Sequence, residues 1–432
     1  MKTVASVHQA SPGRFVSTVI IGAGQAGLSM SHCLSKAGIN HVVLERGEVG
    51  NSWRTERWDS LRLLSPNWQS RLVDYSYQGD EPDGFMSVRE FINFLTDYSE
   101  TASAPVYTGV TVEQVTRTQN GYRVVTDNGE WQCKALVIAS GACNIPLVPR
   151  FADAVPKTID CIDLMQYRNP DQLKPGGVLV VGASASGLQL AEEIQKTGRE
   201  VMVSTGEQTR MPRTYRGRDI MWWMDRCGVL NLKYTEVDDI NRARRVPSLQ
   251  LVGSSPARDL DINTLSRSGV RFVGRFSSIQ RHQALFSGSL ANMCKMADLK
   301  MNRMLKSIDN WIDENRLNDE LPPAHEIEPT RVDETPRLAI DLTTGEISTI
   351  VWATGYRPDY SWLKVPVLDA KGHLKHDGGV VESPGLYALG LPFMRRRKSV
   401  YIDGVADDAR DLTFHLSAYL HQSFQRTMVS VA

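Results

Sequence analysis

The chain contains a partial copy of itself. Residues 19–44, carrying Gly22-Ala23-Gly24-Gln25-Ala26-Gly27, align with residues 179–204, carrying Gly182-Ala183-Ser184-Ala185-Ser186-Gly187, at a constant offset of 160 that also relates Gly38 to Gly198. Each copy reads as an apolar strand, a glycine turn, a helix-period segment and a second strand, the unit that sets a dinucleotide pyrophosphate on a helix N-terminus. A single such motif is a weak indication, because tight strand-to-helix turns are common. Two of them, each in the required context, predict an α/β chain with two Rossmann-like dinucleotide-binding domains, and an enzyme holding two nucleotides is suited to moving electrons between them.

The copies differ at their ends. In the first, the strand His41-Val42-Val43-Leu44 ends in Glu45, about 20 residues past the glycines, where a carboxylate accepts both ribose hydroxyls and repels a 2′-phosphate. In the second, Val201-Met202-Val203 ends in Ser204 and Thr205, with Arg210 and Arg213 following. Hydroxyls and guanidinium forks suit a phosphomonoester. The first copy is therefore expected to hold the adenosine half of FAD and the second NADPH rather than NADH. Glu207, inside the same loop, works against a phosphate there.

Composition adds limits. The 432 residues are enough for at least two cores, and 49 basic side chains balance 49 acidic ones, so neither a nucleic-acid nor a membrane partner is expected. The six cysteines never form a C-x-x-C pair, which disfavours a zinc knuckle or a redox-active dithiol. No metal site is expected. No apolar run approaches the roughly 18 residues of a membrane span, and the first 15 or so residues read as a frayed tail, so a cytoplasmic protein is expected.

Three alternating runs, at 112–118, 122–126 and 131–138, are punctuated by Asn120-Gly121 and Asp127-Asn128-Gly129, which are hairpin signals. The last becomes a continuous apolar strand ending in Ser140-Gly141, and the pattern recurs at 338–342 and 347–353, ending in Thr354-Gly355-Tyr356. Prolines 146, 149 and 156 mark one crossing between domains and residues 355–358 a second. The expected division is a discontinuous FAD domain, 1–150 and 335–432, around an NADPH domain, 151–334, with a helical insertion at about 219–318. Within that insertion, Met293, Met296, Leu299, Met301, Met304, Leu305 and Ile308 predict an apolar helix stripe near 291–312, a core face rather than the wall of a substrate channel.

Gly22-x-Gly-x-x-Gly, Gly50-Asn51-Ser52-Trp53-Arg54, Gly182-x-Ser-x-Ser-Gly, Ala353-Thr354-Gly355-Tyr356 and Gly385-Leu386-Tyr387-Ala388-Leu389-Gly390, in this order, resemble the class B flavin-dependent monooxygenases. The chain is also similar to a bacterial branch of two-dinucleotide-domain flavoproteins loosely described as flavoproteins of potassium transport, with residues 211–220 as a branch feature. The resemblance implies FAD, NADPH, dioxygen and a small nitrogen- or sulfur-containing substrate, oxygenated through a C4a-(hydro)peroxyflavin. It implies cofactor contacts from Gly22, Gly24, Gln25, Ala26, Gly27, Glu45, Arg46, Trp53, Arg54, Val112, Ser140, Gly141 and Gly390 on the flavin side. On the nicotinamide side it implies Gly182, Ser184, Ser186, Gly187, Ser204, Thr205, Arg210 and Arg213, with Thr354, Gly355 and Tyr356 at the return.

One departure stands out. The family's F-x-G-x-x-x-H-x-x-x-[FY] fingerprint, aligned with its aromatic on Tyr167, meets Lys157, Ile159 and Asp163 instead of Phe, Gly and His. A flavin reductase or oxidase without oxygen insertion, and a flavin-bearing redox sensor, therefore stay open beside the monooxygenase. For the polar group near the reactive edge of the flavin the expectation is Asn67, with Ser65 as the alternate, against the competing reading of a capped turn. Arg395-Arg396-Arg397-Lys398 reads either as a solvated basic loop or as a reach toward phosphate or an acidic substrate, and Asp403, Asp407 and Asp408 suit the start of the last helix. A homodimer is the base-rate assembly.

Overall fold

The computed structural model describes residues 14–431 and is built around two parallel sheets. The expected N-terminal tail falls almost wholly on residues 1–13, outside the described residues. In the first sheet, Leu386–Ala388, Gly129–Ile138, Arg14–Ile21, His41–Leu44 and Val106–Tyr107 run parallel in that order. In the second, the order is Asp160–Asp163, Ile347–Trp352, Gly177–Val181, Val201–Ser204 and Arg271–Val273. The side chains of Val19, Ile20, Leu136, Val137, Val178, Leu179, Val180 and Ile350 have no exposed surface. Covered on both faces, they each contribute about 1.5–3 kcal/mol, which is why these strands read as continuous apolar runs.

The repeat seen in the sequence extends to single hydrogen bonds. Gly22 N donates to Leu44 O at 2.8 Å and Gly182 N to Ser204 O at 2.9 Å; Ala139 N donates to Ile21 O and Ala353 N to Val181 O, both at 2.9 Å. Sterics repeat as well. A methyl group built on Gly27 would lie 1.8 Å from Gly22 O, and one on Gly187 would lie 1.9 Å from Gly182 O, so only glycine lets each helix pack on its own turn. The strands Gly129–Ile138 and Ile347–Trp352 occupy equivalent places, each beside the strand that carries the glycine turn.

Two expected boundaries move. The strands Ala339–Asp341 and Ile347–Trp352 belong with the second nucleotide unit, so the chain returns to the first after residue 353 and not at 335. The supposed insertion 219–318 also holds Arg271–Val273, which is a member of the second sheet, and Phe276–Gln280 with Gln283–Phe286, which pair with Ala339–Asp341 as an antiparallel meander. The long helix Leu290–Glu314 is thus inserted between the second and third strands of that meander. Its buried stripe is Cys294, Ala297, Asp298, Met301, Leu305, Ile308 and Ile312, whereas Met296 and Leu299, assigned to the stripe from sequence, are exposed.

The two chain crossings lie side by side. Ile145–Pro146 and Tyr356–Arg357 form an antiparallel pair, tightened by Leu147 N donating to Gly355 O at 2.9 Å and by a bond from Thr354 Oγ1 to Leu147 O. Among the described residues, no helix is long and apolar enough to cross a membrane.

Candidate functional site

Around the first glycine turn the structure gathers residues from distant parts of the chain. Gly22, with φ +106°, packs on Ala139 and Ser140; Gly390 abuts Ala26; and Gly50 N donates to Ala23 O at 3.1 Å, bringing in the short helix Asn51–Thr55. The Glu45 carboxylate accepts from Ala23 N at 2.8 Å and Gly47 N at 3.1 Å. Those bonds fix its orientation and leave lone pairs for ribose hydroxyls. Gly24 starts the helix Gln25–Lys36, and a Cβ there would meet nothing within 4 Å, so a ligand has room to approach the backbone. Gly141, at φ +81°, has similar clearance.

The second turn carries a serine where the first has Gly24, and the backbone explains why this is tolerated. Ser184 has φ −80° against −84° at Gly24, an ordinary conformation for a residue with a side chain, and its hydroxyl makes no capping bond. It is available to donate to phosphate. Ser186 lies on the first turn of the helix Ala185–Gln195, half-buried, and Gly187 packs against Ala353, next to Thr354 and Gly355.

Other residues proposed from sequence are placed differently. Arg54 turns away, donating to Val49 O at 2.9 Å and Thr96 Oγ1 at 3.2 Å; Arg46 pairs with Glu56; and Trp53 packs edge-on to Phe91. Val110, not Val112, reaches the flavin-side carboxylate strand, its N–H donating to Glu45 O at 2.9 Å. Tyr356 is half-buried at the crossing, where burial raises its phenol pKa well above the usual range, with Arg57 opposing and Cys143 adding.

The expected 2′-phosphate ligands need correction. Ser204 Oγ donates to Gly274 O at 3.0 Å and accepts from Phe276 N at 2.8 Å, and Thr205 has no exposed surface, its Oγ1 alone being left without a partner. Arg210 donates to Asp261 at 2.7 and 3.0 Å and to Asp298 and Glu328 O at 2.8 Å; burial opposes its charge, and the bonds to Asp298 and Asp261 outweigh it, raising its pKa. Arg213 is 1% exposed, held by Asp219 and Leu64 O, and burial lowers its pKa despite Asp219. Both guanidiniums are turned into the protein, because the strand pairing of Thr209–Arg210 with Leu249–Gln250 and the hairpin of Thr214–Tyr215 with Arg218–Asp219 fold the loop inward. The cations left at the end of Val201–Ser204 are others. A Cβ on Gly206 would lie 3.5 Å from Arg275 Nε, and Lys300, 2.9 Å from Glu207, holds that carboxyl below its usual range, reinforced by Arg242 and Arg275.

The loop over the flavin side shows a similar exchange. Asn67 Nδ2 donates to Glu81 O at 2.9 Å and its Oδ1 accepts from Met86 N at 2.8 Å, so the carboxamide ties two backbone segments together. The capped-loop reading is the one its geometry supports. Ser65 is half-buried with no hydrogen bond among the described residues. Two residues past Asn67, Gln69 is 1% exposed with both Nε2 and Oε1 unpartnered, and the neighbouring Ser70 Oγ is also orphaned. Buried amides left without partners are rare and costly. A donor and acceptor side by side fit the imide edge of an isoalloxazine, and Ser140 Oγ, orphaned beside Gly22, fits the same cofactor. The residues present therefore suit a flavin, and the sequence reading missed Gln69; its one signal was the polar run Gln69-Ser70-Arg71 between apolar Trp68 and Leu72.

Two nucleotide cradles in one chain, one ending in a carboxylate, define a two-dinucleotide flavoprotein oxidoreductase. The family model described as pyridine nucleotide-disulphide oxidoreductase matches residues 19–220. A CzcO-like oxidoreductase of Geobacillus kaustophilus is 30% identical over 400 residues, covering 92% of this chain and 97% of that protein. Indole-3-pyruvate monooxygenase YUCCA6 of Arabidopsis thaliana is 26% identical, covering 91% and 88%. A flavin-containing monooxygenase from Stenotrophomonas maltophilia has a similar fold, with a TM-score of 0.65 at 19% identity, covering 94% and 99%. The chain belongs to the CzcO-like oxidoreductases, shares its fold with a flavin-containing monooxygenase, and is a flavin-dependent enzyme.

Proposed function

We propose that the enzyme uses NADPH and dioxygen to oxygenate a small nitrogen- or sulfur-containing molecule. The observation carrying this reading is the atomic duplication of the glycine turn, with a carboxylate at the first strand end and a cluster of cations at the second. The YUCCA6 relative and the Stenotrophomonas enzyme, both monooxygenases by name, support it. Bound flavin would supply hydride acceptance and dioxygen activation. The protein's part is placement: Glu45 would accept from ribose hydroxyls, the amides opening Gln25–Lys36 and Ala185–Gln195 would hold the two pyrophosphates, and Gln69 would offer a donor and an acceptor to the ring edge. Water exclusion falls to the loop 58–70, where Trp58, Leu61 and Leu63 are buried and Gly253 packs directly on Leu63 O.

A second reading, reduction of oxygen without insertion, has one observation in its favour. Where the monooxygenase fingerprint would lie, Ile159 is buried in the core and the Asp163 carboxylate caps a turn, accepting from Met165 N at 2.8 Å and Gln166 N at 3.1 Å. Peroxide yield separates the two. With a panel of amines and thioethers present, oxygenation predicts less than one peroxide per NADPH consumed, the deficit appearing as oxygenated product; a stoichiometric yield with every compound selects the oxidase.

Coenzyme choice is assigned to Arg275 with Arg242 and Lys300. Arg275→Ala is expected to raise the NADPH KM about tenfold or more, the loss of one charge-assisted bond to phosphate, and the NADH KM less than twofold. Equal changes for the two coenzymes refute the assignment.

A further inference from the structure

The basic stretch 395–398 resolves into three neutralised cations and one exception. Arg395 pairs with Asp411 at 3.1 Å, Arg396 with Asp408 at 2.6 Å and Asp411 at 3.0 Å, and Lys398 with Asp403 and Asp407 at 3.3 Å. Arg397 has no ion pair and no side-chain hydrogen bond among the described residues. Its Nε is buried without a partner, and its guanidinium carbon stands 5.2 Å over the Phe393 ring. A second guanidinium meets the same residue: Arg244, half-buried and without a carboxylate partner among the described residues, donates from Nε to Phe393 O at 3.3 Å. Burial lowers the pKa of both arginines, and it pushes neighbouring His376 down to about 4, with Arg244 adding to that effect. Phe393 itself has φ +42°, a left-handed backbone that a bulky residue adopts only under strain and that recurs at ligand sites.

The place matters as much as the charge. The segment begins at Gly390, against Ala26 of the flavin-side turn, and Arg397 N donates to Leu232 O at 3.0 Å. Tyr401, whose phenol lies close enough to Arg397 for their charges to interact, packs on the hydrophobic cluster around Trp223, as do Leu64 of the flavin-side loop and Trp222. The segment thus runs from the flavin turn to a cluster on which the loop 58–70 and the region after residue 219 also pack. A half-buried guanidinium without a counter-charge is costly, and a planar fork held over an aromatic ring matches a carboxylate.

We propose that Arg397, seconded by Arg244, is the recognition subsite for the carboxylate of a small anionic substrate. This rests on the monooxygenase reading above and gives its substrate class: an organic acid of modest size, gripped at one end while the reactive atom is presented to the flavin.

The test uses FAD-loaded protein and two probes of matched shape, indole-3-acetate and its neutral amide, titrated against the flavin absorption spectrum. The acid is expected to bind at least about tenfold more tightly than the amide. Arg397→Gln removes that gap by weakening the acid alone, Arg397→Lys keeps part of it, and Arg244→Gln narrows it. Equal affinity of acid and amide for the unaltered protein overturns the proposal, whatever the variants do. So does Arg397→Gln weakening both probes alike, or releasing FAD, which would make the residue a flavin ligand. Inorganic phosphate binding as tightly as the acid overturns the carboxylate assignment. Bleaching of the unaltered flavin by NADPH is followed separately: a gap without bleaching sinks the function reading and keeps the subsite, and bleaching without a gap does the reverse.

Discussion

Gly27→Ala is expected to abolish flavin binding, while Gly187→Ala keeps the protein yellow and stops its bleaching by NADPH. A methyl group would sit 1.8 Å from Gly22 O in the first case and 1.9 Å from Gly182 O in the second, about half of an ordinary van der Waals contact. The obstacle is backbone and cannot rotate away. Each helix must lift from its turn, which takes its N-terminal amides off the pyrophosphate. An affinity loss of at least about 100-fold, equivalent to roughly 2.8 kcal/mol, is expected at the affected cradle. Flavin content after reconstitution and the NADPH-dependent fall in flavin absorbance read the two sites independently. Exchange of the two phenotypes would mean that the coenzymes occupy the opposite cradles.

Arg210→Ala is expected to destabilise the second nucleotide unit by about 3–5 kcal/mol without altering the preference for NADPH over NADH. The loss arises because Asp261 and Asp298, with side chains 10% and 13% exposed, are left as buried carboxylates with no cation. Urea unfolding of the variant, followed beside the coenzyme KM values, checks both halves of the statement. Unchanged unfolding with a selective rise in the NADPH KM would return Arg210 to the phosphate. A triple variant that also replaces both aspartates by apolar residues should recover much of the lost stability, because the charges needing a partner are then gone.

These two cases show what the sequence makes legible. The glycine turns could be read because their constraint is local: a strand, a turn and a helix must pack within a few residues of chain. The hairpin 112–138 was equally open, with Asn120-Gly121 and Asp127-Asn128-Gly129 marking its corners. Arg210 could not be read this way, since its partners lie 51 and 88 positions further on, and a cation after a strand looks the same whether it meets phosphate or aspartate. The strand Arg271–Val273 has three residues, too few to show a period, so its stretch of chain passed for insertion. The helix Leu290–Glu314 was found and its stripe misphased, because methionine suits exposed and buried positions alike. Gln69 announces itself only through the absence of a hydrogen-bond partner, which is a tertiary fact.

The pairing of Ile145–Pro146 with Tyr356–Arg357 has a mechanical consequence. Outgoing and homecoming chain share one seam, so the passage between the halves acts as a single bolt and not as two independent tethers. Lengthening either strand by one residue would shear its neighbour out of register, and both halves would feel an alteration made in only one of them.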